Sequence, residues 1–236
     1  MSREWFNGPL AALGETLVKD DARKLIELPE LLRPTTLDRL LLQVYGAELM
    51  TDQLPVLVSQ WFKFYAMQVI APVVVASLAH GKHWPLRLDQ LSFALDERGV
   101  LDGVRFSCSP VVRSESTDPF ECFAPLLDNL AQVIERLSTY GGLAPRVLWS
   151  SAGDYLETCL RRLSSVSDVS LAPGYGLLRE PLMPDGQRNP LFASIIYIEG
   201  SKGQTVRQRR NCCLSYRVAW VGRCEHCPLQ HASHCA

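Results

Sequence analysis

The sequence predicts a mainly α-helical α+β protein, in which a helical body with short β-hairpins carries a small, cysteine-rich C-terminal module. Three observations support this fold class. Apolar residues recur at helical spacing along several long segments. They alternate at period two in a few short segments bounded by turn residues. Finally, five of the eight cysteines lie in the last 25 residues, which indicates a metal site at the end of an otherwise ordinary globular chain.

The composition sets the broad class. A chain of 236 residues with 47% hydrophobic and 21% charged residues is typical of a soluble globular protein, and a net charge of −1 argues against a general nucleic-acid binder. The N-terminus lacks a basic region followed by an apolar core, so we predict no signal peptide and a reducing compartment, where clustered thiols bind metals. The most apolar stretch, residues 69–79, has about half the length of a membrane span, which predicts a buried core helix.

Two helices are predicted in the first third of the chain. Thr35 and Thr36 can cap a helix whose apolar stripe comprises Leu37, Leu40, Leu41, Val44 and Tyr45. A longer helix begins near Asp52 and ends at Gly81, with Pro72 as a kink or a break inside it.

A change of period follows. Leu91, Phe93 and Leu95 alternate, residues 96–99 form a turn, and the alternation resumes at Val104 and Phe106, which predicts a β-hairpin.

The second half begins with two further helices. Asp118, Pro119 and Glu121 are typical of a helix start, and this helix should end at residues 141–142; another follows Pro145. Residues 164–190, rich in Ser, Pro and Gly, are predicted to be mainly loop and to contain the domain boundary. We therefore predict a body over residues 1–190 and a C-terminal module over residues 191–236. In the module, residues 192–198 and 204–210 should form a hairpin that leads into the cysteines.

The cysteine spacing carries the chemistry. Cys212 and Cys213 are adjacent, ten residues follow, and Cys224 and Cys227 complete a set of four thiols within 16 positions. Four thiolates suit either a [2Fe–2S] cluster or a tetrahedral Zn²⁺. Because side chains alternate in a strand, adjacent cysteines reach one site only if the backbone is not simply extended. A two-iron cluster relaxes this demand, since neighbouring cysteines can serve either iron.

The surrounding charges fit an anionic centre. Five arginines and a single acid, Glu225, lie around the cysteines, and nearby cations favour the more negative, reduced state of an iron–sulfur centre. The arginines are Arg207, Arg209, Arg210, Arg217 and Arg223. We expect them to tune the potential or to meet an acidic electron donor.

Zinc is the rival chemistry. Cys224 and Cys227 can combine with ligands from the tail, which contains His226, His231, His234 and Cys235. We expect Cys235 to be a free thiol, and Cys108, Cys122 and Cys159 to pack in the core.

The cysteine region resembles a known family. Residues 209–217, the ten-residue gap and the Cys224-x-x-Cys227-Pro228 segment resemble the C-terminal signature of the FhuF-like ferric-siderophore reductases. Upstream segments resemble the body of that family more loosely; they are residues 59–72, 86–99, 147–152 and 189–192. The resemblance implies a [2Fe–2S] cluster bound by Cys212, Cys213, Cys224 and Cys227.

The resemblance also implies an activity. The expected protein is an oxidoreductase that reduces siderophore-bound Fe³⁺ to Fe²⁺ in the bacterial cytoplasm, after import. No nucleotide-, phosphate- or flavin-binding motif is present, so electrons should come from another protein or a small reductant. Peripheral association with the inner membrane or its siderophore importer is left open. The alternative, from another class, is a non-redox siderophore-binding or accessory protein with a structural zinc site.

Overall fold

The computed structural model describes residues 2–18, 23–113, 115–200 and 203–230. Of these residues, 54% are helical and 14% lie in strands, with short antiparallel sheets, which confirms the mainly helical α+β class. In chain order the helices are α1 (Leu28–Leu31), α2 (Pro34–Tyr45), α3 (Ala47–His80), α4 (Pro119–Cys122), α5 (Ala124–Gly141), α6 (Pro145–Ser164) and α7 (Ala172–Arg179). The strands are β1 (Leu25–Glu27), β2 (Lys82–His83), β3 (Leu91–Leu95), β4 (Leu101–Phe106), β5 (Val111–Val112), β6 (Ile195–Glu199) and β7 (Thr205–Arg209).

Helix α3 is the centre of the core. It packs against α6, α2 and α5, and α3 is apolar nearly all round, as a buried helix must be. By length and composition alone it could cross a membrane, but 67% of its most apolar window is buried within the molecule. This is the pattern of the core helix that the sequence predicts.

The prolines of α3 act differently from one another. Gln53 leaves the helical region (φ −128°, ψ 22°) two residues before Pro55, and the helix is kinked there. At Pro72 the chain keeps helical dihedral angles, so α3 is continuous there and the break that the sequence allowed is absent. Pro72 cannot donate to the carbonyl of Gln68, and the hydroxyl of Thr16 donates to that oxygen instead, at 3.1 Å. At its end, α3 stops as predicted at Gly81, which adopts a left-handed conformation (φ 58°).

The predicted helix start at Asp118 is confirmed, but the helix is interrupted. The Asp118 carboxylate accepts hydrogen bonds from the backbone N–H groups of Phe120 (2.8 Å) and Glu121 (3.0 Å). The chain then leaves the helical region at Phe123 (φ −122°) before α5 begins. Pro125 explains the interruption, because it lacks an N–H group and its ring crowds the preceding turn.

Both predicted hairpins are present. Strands β3 and β4 pair in antiparallel register, and β1, which the sequence analysis missed, adds a third strand by pairing Leu25 with Ala94. In the C-terminal hairpin, Ile195 of β6 pairs with Arg209 of β7. This hairpin packs on α6. The domain boundary at residue 190 stays a prediction.

The expectation that residues 164–190 are mainly loop is wrong in one part, because they contain α7. Its glycines suggested a loop, yet they serve close packing. A Cβ atom on Gly174 would lie only 2.4 Å from the Leu160 side chain of α6, so this position accepts no larger residue without a shift.

Candidate metal centre

The structure brings one cysteine of each pair together. The sulfur atoms of Cys213 and Cys224 lie 3.5 Å apart, at the junction between β7 and the core. Cys213 and Cys227 are buried, whereas Cys212 and Cys224 are partly exposed. Burial raises the pKa of Cys212, and the negative charges of Cys213 and Cys227 raise it further.

The described part of the chain contains no tight single-ion site. Within the described residues, no three His, Cys, Asp or Glu side chains are grouped as ligands of one metal ion. The assignment of all four cysteines as ligands therefore stays a prediction.

Adjacent cysteines can reach one site only if the backbone is not extended, and the backbone at Cys212 and Cys213 is not. Strand β7 ends at Arg209, so Cys212 and Cys213 lie beyond the extended segment. Leu214 then adopts a left-handed conformation (φ 64°), which for a residue with a side chain costs about 1–2 kcal/mol. This turn lets the N–H group of Leu214 donate to the sulfur of Cys212 at 3.3 Å. It also directs the chain into a short 3-10 turn, Ser215–Arg217.

Helix α3 holds this turn through a polar patch formed by Ser59, Gln60 and Lys63. The Ser59 hydroxyl and the Gln60 side-chain amide both donate to the carbonyl of Cys213, at 2.9 and 3.3 Å. Lys63 donates to the Ser215 hydroxyl at 2.7 Å and to the side-chain amide oxygen of Gln60 at 3.1 Å. The Ser215 hydroxyl in turn lies 2.8 Å from the sulfur of Cys213.

The sequence analysis did not predict roles for the polar-patch residues. A signal was nevertheless available, because they are three polar residues at positions i, i+1 and i+4 of a helix whose other buried positions are almost all apolar.

The electrostatics favour a thiolate at Cys213. A hydrogen bond with the Cys224 thiol, together with the positive charges of Lys63 and Arg209, lowers the pKa of Cys213 despite its burial. The same interaction raises the pKa of Cys224. The pair of Cys213 and Cys224 therefore carries one negative charge readily, and Lys63 and Arg209 can balance further negative charge.

A buried ion network joins the hairpin to α6. The Arg207 guanidinium contacts the Glu157 carboxylate at 2.5 Å and the Asp154 carboxylate at 2.7 Å. Arg209 is only 1% exposed; it donates to the Ser151 hydroxyl at 2.7 Å and lies 3.4 Å from Asp154. Since Asp154 and Glu157 lie one turn apart on α6, this face of the helix fixes the end of β7 and so the start of the cysteine segment.

This network corrects the interpretation of the arginines. Buried Arg209 cannot meet a partner protein, but its charge does lower the pKa of Cys213, so only the tuning role fits it. Arg207 is paired within the network. The exposed arginines are Arg210, Arg217 and Arg223.

The candidate zinc ligands divide into two groups. His226 is used within the fold: its Nδ1 atom lies 2.7 Å from Nη1 of Arg207 and accepts a hydrogen bond from that guanidinium. Burial and the Arg207 charge lower the pKa of His226, which keeps the ring neutral. His231, His234 and Cys235 lie outside the described residues.

The other cysteines lie apart from this site. Cys122 and Cys159 belong to the hydrophobic core, as expected, and burial raises the pKa of Cys159 to about 12. The expectation that Cys108 packs in the core is wrong, because this residue is partly exposed and does not belong to the hydrophobic core.

Comparison with known families assigns both parts of the chain. The profile of a family described as "Ferric iron reductase FhuF-like transporter" matches residues 59–199, more than half of the chain. A second, described as "FhuF 2Fe-2S C-terminal domain", matches residues 209–229, which include all four cysteines. Comparison with curated proteins gave no match. The cofactor is therefore a [2Fe–2S] cluster, and a sulfur-rich, partly buried site with two nearby cations has the chemistry to hold it.

Proposed function

Since the chain belongs to the FhuF-like ferric iron reductase family, we propose that it reduces siderophore-bound Fe³⁺ to Fe²⁺, with Cys212, Cys213, Cys224 and Cys227 as the ligands of its cluster. The observation that carries this proposal is the approach of Cys213 and Cys224 to 3.5 Å beside Lys63. When bound, a [2Fe–2S] cluster supplies one electron at a time. One electron is enough to release the iron, because Fe²⁺ is softer than Fe³⁺ and binds the hard oxygen ligands of siderophores less well.

The chain's own residues hold and tune the site. Ser59 and Gln60 fix the carbonyl of Cys213, so the orientation of that cysteine is set by the rigid core helix. Lys63 and Arg209 provide positive charge near the sulfur atoms, which stabilises a more negative oxidation state.

We further propose that the protein works in the cytoplasm after siderophore import, with electrons delivered by a protein or a small reductant. Trp220 is 65% exposed and, like Arg217 and Arg223, lies in the ten-residue segment between the two cysteine pairs. An exposed aromatic side chain flanked by arginines is typical of a surface that meets an acidic partner. Association with the inner membrane or the importer is compatible with this proposal.

A single-turnover experiment tests the activity. Chemically reduced protein, mixed anaerobically with a ferric siderophore, should reoxidise and yield one Fe²⁺ per cluster, because each reduction consumes one electron. The Fe²⁺ is measured with a ferrous chelator and the reoxidation by visible absorbance. Protein that stays reduced with catecholate, hydroxamate and carboxylate siderophores alike would contradict the proposal. Zinc without acid-labile sulfide would instead favour the non-redox accessory protein.

Replacing Lys63 by methionine should lower the reduction potential of the cluster. The substitution removes a positive charge near Cys213 while keeping the length of the side chain. We expect a decrease of about 50–100 mV, since 59 mV corresponds to a tenfold change in a one-electron equilibrium and a nearby charge is worth roughly one or two such factors. A redox titration followed by paramagnetic resonance measures it. Lys63→Arg should keep most of the potential, and Lys82→Met, on β2, all of it; equal shifts in the Lys63→Met and Lys82→Met variants would rule out the tuning role.

A further inference from the structure

A basic, aromatic cleft lies beside the cysteine segment and has no role in holding it. The cleft has a volume of about 440 Å³ and is open to solvent. Its lining includes Arg146, Trp149, Arg188, Phe192, Arg210 and Asn211. Asn211 precedes Cys212 directly, so anything bound in the cleft would lie next to the proposed ligands of the cluster.

The charged residues that line the cleft are all positive. Three arginines and no acidic residue line it. Among the described residues, none of these arginines forms an ion pair, whereas Arg207 and Arg209 of the neighbouring strand are paired with acids of α6. Unpaired guanidinium groups around a concave surface concentrate positive potential and attract anions.

The aromatic part of the lining narrows the ligand class. Trp149 and Phe192 are both partly buried and contribute to the apolar part of the cleft surface. Aromatic side chains favour flat, aromatic ligands through stacked or edge-to-face contacts, which a purely carboxylate ligand cannot make. A cleft lined by both arginines and aromatic rings is therefore suited to bind an anion that is itself aromatic.

The cleft wall is held rigidly. Asn189 is buried, and its side-chain amide donates to the carbonyls of Leu177 and Glu180, both at 2.8 Å. Its side-chain oxygen accepts from the N–H group of Leu191 at 2.9 Å. Because these bonds tie the segment before Phe192 to the end of α7, the wall is formed before any ligand binds.

We propose that this cleft binds ferric catecholate complexes, with the arginines contacting the phenolate oxygens and Trp149 and Phe192 contacting the catechol rings. A ferric tris-catecholate fits because its phenolate oxygens outweigh the charge of the iron and its surface is aromatic. Ferric hydroxamate complexes are neutral or cationic and lack such rings. The inference rests on the proposed reductase function, and it names the substrate class and where it binds.

Gallium allows binding to be tested without reduction. Ga³⁺ has the charge and nearly the size of Fe³⁺ but does not accept an electron under these conditions. Calorimetric titration of the cluster-loaded protein with the Ga³⁺ tris-complex of 2,3-dihydroxybenzamide should show saturable binding that weakens with added salt. The cationic Ga³⁺ complex of desferrioxamine B should bind at least about tenfold more weakly, since it lacks the interaction with the arginines.

Substitution locates the site. Each of Arg146→Gln and Arg188→Gln should weaken catecholate binding by about tenfold, the loss typical of a hydrogen bond to a charged group. Arg136→Gln, at an exposed position of α5 outside the cleft, is the matched control and should bind like the parent. An unchanged visible spectrum and circular dichroism show that the variants keep their cluster and fold.

The outcomes separate the two proposals. Catecholate binding that is equally tight in the Arg146→Gln and Arg188→Gln variants, or hydroxamate binding that is as strong and as dependent on these arginines, would overturn the cleft assignment. If the gallium results are as expected but no Fe²⁺ forms from any ferric siderophore, the binding site stands and the reductase function fails. If Fe²⁺ forms at rates independent of these arginines, the reductase function stands and the cleft assignment fails.

Discussion

Replacing Cys213 by serine should abolish stable binding of the [2Fe–2S] cluster. Cys213 has the most contacts of the four cysteines: its carbonyl is held by Ser59 and Gln60, and its sulfur lies beside Cys224 and Ser215. A hydroxyl is a poor replacement for a soft thiolate. Loss of an outer partner of a metal ligand already lowers affinity by about 10–100-fold, so loss of a ligand should cost at least as much. Iron and acid-labile sulfide per chain, with visible absorbance, measure the effect.

Cys159→Ser is the matched control, because Cys159 is equally buried but lies in the core of α6. This variant should keep its iron and sulfide and lose only stability, since a hydroxyl replaces a thiol in apolar surroundings. Cys108→Ser should likewise leave the spectrum intact. If Cys159→Ser loses as much cluster as Cys213→Ser, the ligand assignment is wrong.

Replacing Glu157 by alanine should lower the free energy of unfolding by about 3–5 kcal/mol, the usual cost of removing one partner of a buried ion pair. The Glu157 side chain is 4% exposed and that of its partner Arg207 is 8% exposed, so the guanidinium would lose its closest anion in a place that water hardly reaches. Tyr197, whose hydroxyl bonds to Glu157, and Arg161 would lose a partner as well. Denaturant unfolding followed by circular dichroism measures the loss.

Two further variants distinguish the loss of the buried ion pair from the effect that any substitution has on stability. Glu135→Ala, at an exposed position of α5, should change stability by less than about 0.5 kcal/mol. The double variant Glu157→Leu with Arg207→Met removes both charges and should regain much of the lost stability, because no unpaired charge stays buried. If Glu157→Ala lowers the free energy of unfolding no more than Glu135→Ala does, the network does not hold the hairpin in place.

The fold was predictable where its signals are local. The hairpin of β3 and β4, the end of α3 at Gly81 and the N-cap at Asp118 all depend on neighbouring residues, and each is present. Strand β1 was missed because its three residues become a strand only by pairing with β3, more than 60 positions away. Helix α7 was missed because its glycines are explained by contacts of Gly174 with α6 and of Gly176 with α4, which the local sequence does not show.

The candidate site, like the fold, was predictable only where its signals are local in the sequence. The spacing of the cysteines predicts their chemistry, because cysteines close in sequence are close in space. The residues that hold them come from α3 and α6, about 150 and 55 positions upstream. Their polar character in buried helices is visible in the sequence, but their partners are not. The buried state of Arg209 was likewise invisible, since an arginine next to cysteines is equally compatible with an exposed position.

The hydrogen bond between Ser59 and Cys213 joins residues separated by 154 positions, and this separation orders events during synthesis. At about 5–20 residues per second, a ribosome completes Cys213 roughly 8–30 s after Ser59. For most of that interval helix α3, which carries Ser59, Gln60 and Lys63 and ends at His80, has been synthesised while its C-terminal partner has not. Loading of the iron–sulfur cofactor must therefore follow synthesis of the cysteine segment, and by then most of the body has already had time to fold.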